Sequence, residues 1–233
     1  MVIAMVRYRT VEMERVTEPE LMDDEQQSIA YAQADFSTSN QFFVDGLVRD
    51  FPSHLRAVVD IGCGPADVLI RLARAAPQAT ITALDGSAPM IALARTAVRA
   101  AGVDDRVTLL HARIPGPPPP SQSFDAVLSK DLLHHLPDPA VLWDEVKRLG
   151  RPGAAVYVMD LVRPDSEDAA RAMVEEGAGS DDPILQRDFY NSLLAAFTLD
   201  EVRAQLAAAN LDFEVARAET RHMLIRGILR DRA

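Results

Sequence analysis

From residue 57 onward short apolar runs alternate with helical stretches, and no other feature of the sequence limits the fold so strongly. The runs are residues 57–61 (Ala-Val-Val-Asp-Ile), 79–84, 107–110, 124–128 and 154–159. Between the first two lies a stretch with Val68, Leu69, Leu72 and Ala76 on one helical face; a helix through Met90 and Ala94 follows the second. Apolar strands separated by helix-length connections imply crossovers and a parallel sheet. Right-handed crossovers then dictate an α/β, doubly wound, three-layer sandwich. An amphipathic helix over 199–210 and two closing strands, 212–218 and 222–228, complete the pattern.

A chain of 233 residues is long enough to bury a substantial core without disulfide or metal staples. It is 48% hydrophobic and 25% charged, a folded-protein composition. Lys+Arg 24 against Asp+Glu 35 gives a net charge of −11, which removes the electrostatic footprint of a nucleic-acid binder. Lys130 and Lys147 are the only lysines, so no polybasic membrane tract exists. The single cysteine, Cys63, excludes an internal disulfide. Residues 1–6 are too short an apolar run for a signal-peptide core or a membrane span, and a cytoplasmic protein is expected.

Residues 1–54 read as an N-terminal helical lid on a domain spanning 55–233, with helices near 24–35 and 39–50. Phe36, Phe42, Phe43 and Leu47 can supply an apolar stripe there. Glu12, Glu14, Glu18, Glu20, Asp23, Asp24 and Glu25 read as a solvated acidic face. The proline-rich segment 115–120 reads as a stiff surface connection, and 177–183 as a loop.

The most informative stretch is Asp60-Ile61-Gly62-Cys63-Gly64-Pro65-Ala66-Asp67. A strand ending in Gly-x-Gly and opening a helix lets a ligand approach bare backbone and a helix N-terminus. Asp85 closes the next strand, where an acid can take the hydroxyls of an adenosine ribose. A dinucleotide site wants a third glycine where Asp67 stands, and a carboxylate beside a pyrophosphate is repulsive. Asp60 at the strand end suits a cationic ligand instead.

At these residues the chain resembles the class I S-adenosylmethionine-dependent methyltransferases. Asp60 to Ala66 is similar to their first motif, and Leu84-Asp85-Gly86-Ser87-Ala88-Pro89-Met90 to their second. Ser123 to Val127 with Leu132-Leu133-His134-His135-Leu136-Pro137 resembles the fourth-strand motif, and Lys147 to Gly153 the turn before the fifth strand. Small-molecule enzymes of the ubiquinone- and menaquinone-biosynthesis type are the most similar subgroup. The resemblance departs at Ala66, where the family has a third glycine. It implies a Rossmann-like, mostly parallel seven-stranded sheet with an antiparallel C-terminal strand. It also implies S-adenosyl-L-methionine as cofactor, S-adenosyl-L-homocysteine as product, and in-line methyl transfer to a small molecule in a water-excluded site.

On this resemblance Asp60, Gly62, Cys63, Gly64, Asp85, Gly86 and Met90 are cofactor-site candidates, Cys63 as a small filler and not a nucleophile. Ala112 and Arg113 would border adenine, and Ser129 and Lys130 would follow the fourth strand into the site. His134 or His135 would orient or deprotonate the acceptor, with Tyr31 and Tyr190 on the substrate side. Adjacent histidines are expected to diverge and hold no metal. Two other readings share the architecture: an NAD-dependent oxidoreductase, and a non-catalytic S-adenosylmethionine-binding regulator. A nucleic-acid methyltransferase is disfavoured by the charge and by Ser129-Lys130-Asp131-Leu132, which is no Asn-Pro-Pro-Tyr motif. Oligomeric state is left open, with a homodimer the form to test.

Overall fold

The computed structural model describes residues 13–230 apart from 20, 118, 180 and 181. Residues 1–6, Glu12, Glu20, Pro118, Ser180 and Asp181, on which the sequence reading touched, lie outside the described residues. Seven strands form one sheet: β1 (Ala57–Ile61), β2 (Thr80–Asp85), β3 (Val107–His111), β4 (Phe124–Lys130), β5 (Gly150–Leu161), β6 (Glu214–Ala218) and β7 (His222–Ile228). Their order is β3-β2-β1-β4-β5-β7-β6, and the first five are parallel. β7 is antiparallel to both β5 and β6, so it alone runs against the others. The order reverses at β1, between β2 and β4, and such a switch point opens a crevice beyond the strand ends.

Eight helices complete the described chain: α1 (Glu25–Gln33), α2 (Ser37–Asp50), α3 (Asp67–Ala75), α4 (Ala88–Ala100), α5 (Ala140–Leu149), α6 (Glu167–Ala178), α7 (Pro183–Ala195) and α8 (Leu199–Ala208). Alternate strand residues face opposite layers. Val58 points to a core shared with Phe43 and Leu47 of α2, Leu69 and Leu72 of α3 and Ile91 of α4. Val59 and Ile61 point to the other core, with Trp143 and Val146 of α5 and Val202 of α8. Each such large side chain, fully buried, contributes about 1.5–3 kcal/mol.

Two sequence expectations need correction. The boundary at 54 cuts through the core, because α2 is one of the packed layers. Phe43, Val44 and Leu47 are completely buried, and at Gly46 a Cβ would stand 2.1 Å from the Tyr157 hydroxyl. Only a glycine lets α2 lie this close to β5. The start of α2 nevertheless reaches the cavities described below, through Ser37, Ser39 and Asn40. The expected loop at 177–183 is shorter than that range: α6 continues to Ala178, and α7 begins at Pro183, capped by Asp182 accepting the Ile184 N–H at 2.8 Å. Proline is suited to that first helical position because it needs no N–H partner there.

Candidate active site

Two adjoining cavities, of about 270 and 360 Å³, lie beyond the carboxyl ends of β1, β2, β4 and β5. The smaller one is built on the glycine turn. Gly62 and Gly64 take positive φ of 79° and 50°, and the Leu132 side chain lies 3.0 Å from where a Gly62 Cβ would sit. The Gly62 and Cys63 N–H groups donate to the Leu84 carbonyl at 2.8 and 3.1 Å, tying the turn to β2. The Asp85 carboxylate accepts the Gly64 and Ser87 N–H groups, each at 2.8 Å. These bonds aim it across the turn; burial nevertheless raises its pKa.

Asp60, Gly62, Cys63, Gly64 and Asp85 all line this cavity, and so do Gly86, Met90, Ala112, Arg113, Lys130 and Tyr31. Asp60 is buried, and burial together with the neighbouring Asp85 charge pushes its carboxyl up to about 7, against the pull of Lys130. Burial raises the Cys63 thiol well above its usual range, which suits a filler. Asp67 is neutralised by Arg71 at 2.7 Å and accepts the Asn40 amide at 2.8 Å. Lys130 is paired with Asp131, whose carboxyl lies well below its usual range because Lys130 and His222 outweigh the effect of burial. Two unpaired acids over bare backbone suit a cationic, hydroxyl-bearing ligand.

The larger cavity shares Leu21, Met22, Tyr31, Lys130, Asp131 and His135 with the first. Its wall is formed by the single turn of 3₁₀ helix Leu133–His135. Asp160 at the end of β5 accepts His134 Nδ1–H at 2.7 Å and the Leu133 N–H at 2.7 Å. His134 Nε2 stands 3.5 Å, and His135 Nδ1 3.2 Å, from Glu18 Oε1. Burial pulls His134 down, but the Asp160 carboxylate, its hydrogen bond and Glu18 prevail and lift it to about 9. Burial, then the charge on His134, drives His135 down to about 3. Glu18 is raised by burial and held by Ser192 Oγ at 3.0 Å.

The methyltransferase-domain family profile matches residues 58–153. The chain is 31% identical over 159 residues to 27-O-demethylrifamycin SV methyltransferase of Amycolatopsis mediterranei, covering 68% of this chain and 55% of that protein. It is 37% identical over 110 residues to demethylmenaquinone methyltransferase of Lactiplantibacillus plantarum, covering 46% of each. The structure of an S-adenosyl-L-methionine-dependent methyltransferase from Aquifex aeolicus superposes with TM-score 0.69 at 18% identity, over 88% of this chain and 98% of that one. Residues 58–153 form a methyltransferase domain, on the fold that S-adenosylmethionine-dependent methyltransferases share. The chain spans about half the length of the two curated relatives.

In the chain that carries this methyltransferase domain, three site expectations need correction. Ser129 is not among the lining residues: its hydroxyl donates to the Ile61 carbonyl at 2.9 Å and ties β4 to β1. Tyr190 also lies outside both linings, its hydroxyl on Glu167 at 3.1 Å and its ring beneath Arg171; its neighbours Phe189 and Asn191 face the cavity instead. The adjacent histidines do not diverge. Their rings lie 4.2 Å apart, because the tight 3₁₀ turn brings both to Glu18.

Sequence reasoning missed Asp160 and Glu18. Asp160 had a signal, an acid closing the otherwise apolar run Val156 to Met159. Glu18, read as solvated, had none, since only tertiary structure distinguishes it from the exposed Glu14. Arg15 fastens that segment: it donates to the carbonyls of Ala195, His134 and Leu136 and stacks 3.9 Å over Phe197.

Proposed function

We propose that this protein transfers the methyl group of S-adenosyl-L-methionine to a nucleophilic atom of a small molecule seated in the larger cavity. The supporting observation is the junction of the two cavities, where a bare glycine turn between the buried Asp60 and the half-buried Asp85 opens directly onto the Glu18–His134–His135 wall. The donor supplies an electrophilic methyl on a sulfonium. Asp85 would take its ribose hydroxyls, Asp60 its ammonium end, and Gly62 and Gly64 its close approach, with Met90, Ala112 and Arg113 around the adenine. Lys130, locked to Asp131, leaves Asp60 free to face a ligand cation.

On the acceptor side Asp160 fixes the His134 ring, and the cluster it belongs to positions the nucleophile. Residues 13–35 cover both cavities through Leu21, Met22 and Tyr31 and exclude water; alignment of the two reactants can supply about 7–11 kcal/mol. The similarity to 27-O-demethylrifamycin SV methyltransferase supports a small-molecule acceptor. Among the described residues no helix is long and apolar enough to cross a membrane.

Incubation with S-adenosyl-L-methionine and fractionated metabolite extract tests the proposal. We expect release of S-adenosyl-L-homocysteine matched by a product heavier by one methylene. A melting temperature raised by NAD and not by S-adenosyl-L-methionine would overturn it.

A further inference from the structure

Glu18, His134 and His135 bring three good ligand atoms together, all within 4.8 Å of one another. We propose that they form a site for one divalent transition-metal ion of the zinc type, on the wall of the larger cavity. Glu18 Oε1 lies 3.5 Å from His134 Nε2 and 3.2 Å from His135 Nδ1. Ligands bound tetrahedrally at the usual zinc distances stand about 3.3 Å apart, so both separations already match edges of such a tetrahedron.

The arrangement behind the ligands agrees. Asp160 accepts His134 Nδ1–H at 2.7 Å, which turns Nε2 toward Glu18; metal-bound histidines are commonly oriented by such a carboxylate. Ser192 Oγ holds Glu18 Oε1 from outside at 3.0 Å. A proton on His134, shared between Asp160 and Glu18, would explain that ring without a metal. It does not explain His135, whose buried Nδ1 has no hydrogen-bond partner while facing the same oxygen. An orphaned buried nitrogen is costly because it has given up water for nothing, and an ion at the common focus removes that cost. Two imidazoles and one carboxylate favour zinc-type ions over magnesium or calcium, which prefer oxygen alone.

All three ligands line the larger cavity, so the fourth coordination position opens to it. The ion's use there rests on the methyl-transfer reading: bound to an acceptor hydroxyl oxygen, it would lower that group's pKa and release its proton to solvent.

The test is calorimetric titration of the metal-stripped 233-residue chain with Zn²⁺, alongside Glu18→Gln and His135→Ala. Cobalt absorption then reports coordination geometry. We expect one Zn²⁺ per chain with micromolar or tighter affinity, weakened at least tenfold in each folded variant, and no comparable binding of Mg²⁺. Asp160→Asn should weaken Zn²⁺ about 10–100-fold as an orienting partner. Absence of stoichiometric Zn²⁺ binding, or binding unchanged in either folded variant, overturns the site. The rise in melting temperature with S-adenosyl-L-methionine is read in parallel. If that rise persists while Zn²⁺ fails to bind, only the metal site falls; the reverse pattern overturns the donor reading alone.

Discussion

The smaller cavity, proposed for the donor, draws its key groups from two neighbouring stretches, 60–67 and 85–90, whereas the larger, proposed for the acceptor, gathers Glu18, His134, Phe189 and His222 from four distant ones. The difference follows from what each side must hold. A strand end, a glycine turn and the next strand end are local products of parallel-sheet topology, and their backbone amides position Asp85 directly. The acceptor wall has no such repeat. It depends on a carboxylate from β5, a 3₁₀ turn after β4 and a strap before α1, each useful only when packed against the others. Substitutions on the two sides should therefore separate donor affinity from turnover.

The largest effect is expected at Asp160. Asp160→Asn keeps an oxygen for the Leu133 N–H but removes the charge that orients His134. Turnover on the identified acceptor should fall about 10²-fold or more, while calorimetric affinity for S-adenosyl-L-methionine changes less than about threefold. An equal loss of both would erase the distinction between the cavities. On the donor side Asp85→Ala removes the partner of two backbone amides and of the proposed ribose contact. Affinity for S-adenosyl-L-methionine should fall at least tenfold, about 1.4 kcal/mol; unchanged affinity would detach Asp85 from the donor.

Asp60 sharpens the comparison through pH. Its carboxyl is raised to about 7 in the folded chain, above its unfolded value. Stability from burying the neutral acid is thus present at low pH and lost as pH rises toward 7. A cationic donor reverses the preference by favouring the carboxylate, so binding near pH 6–7 should release a proton. Affinity should decline roughly tenfold from pH 8 to pH 6, with the decline flattened in Asp60→Asn. Calorimetry in buffers of different ionisation enthalpy measures the released proton; no buffer dependence would mean that Asp60 faces no cation.

The same contrast explains what the sequence disclosed. The strand–helix alternation and the acids at 60 and 85 were legible because local chemistry repeats with the fold's own period. The apolar stripe of α2 was legible, but that Phe43 and Leu47 pack into the core against β1 and β5 and do not fold over the site is decided by tertiary contacts alone. Tyr190 was chosen over Phe189 because a one-residue step along a helix turns a side chain by about 100°, which no nearby pattern resolves in α7. Glu18 and Asp160 meet the histidines only through tertiary contacts.

The smallest effect belongs to Ala66, the position where the family resemblance expects a third glycine. It sits at φ 78° and ψ 17°, left-handed and completely buried, as the cap of α3. An L-residue there costs about 1–2 kcal/mol relative to glycine. Against this, Ala66→Gly frees the unfolded chain by about 0.4–1 kcal/mol and strips a buried methyl worth about 0.8 kcal/mol. The contributions nearly cancel, so urea unfolding should show a stability change within about 0.5 kcal/mol and donor affinity should hold. A gain well above that would show the turn is strained in the native chain; a clear loss would show that the methyl's packing, and not the backbone angle, retains alanine at this turn.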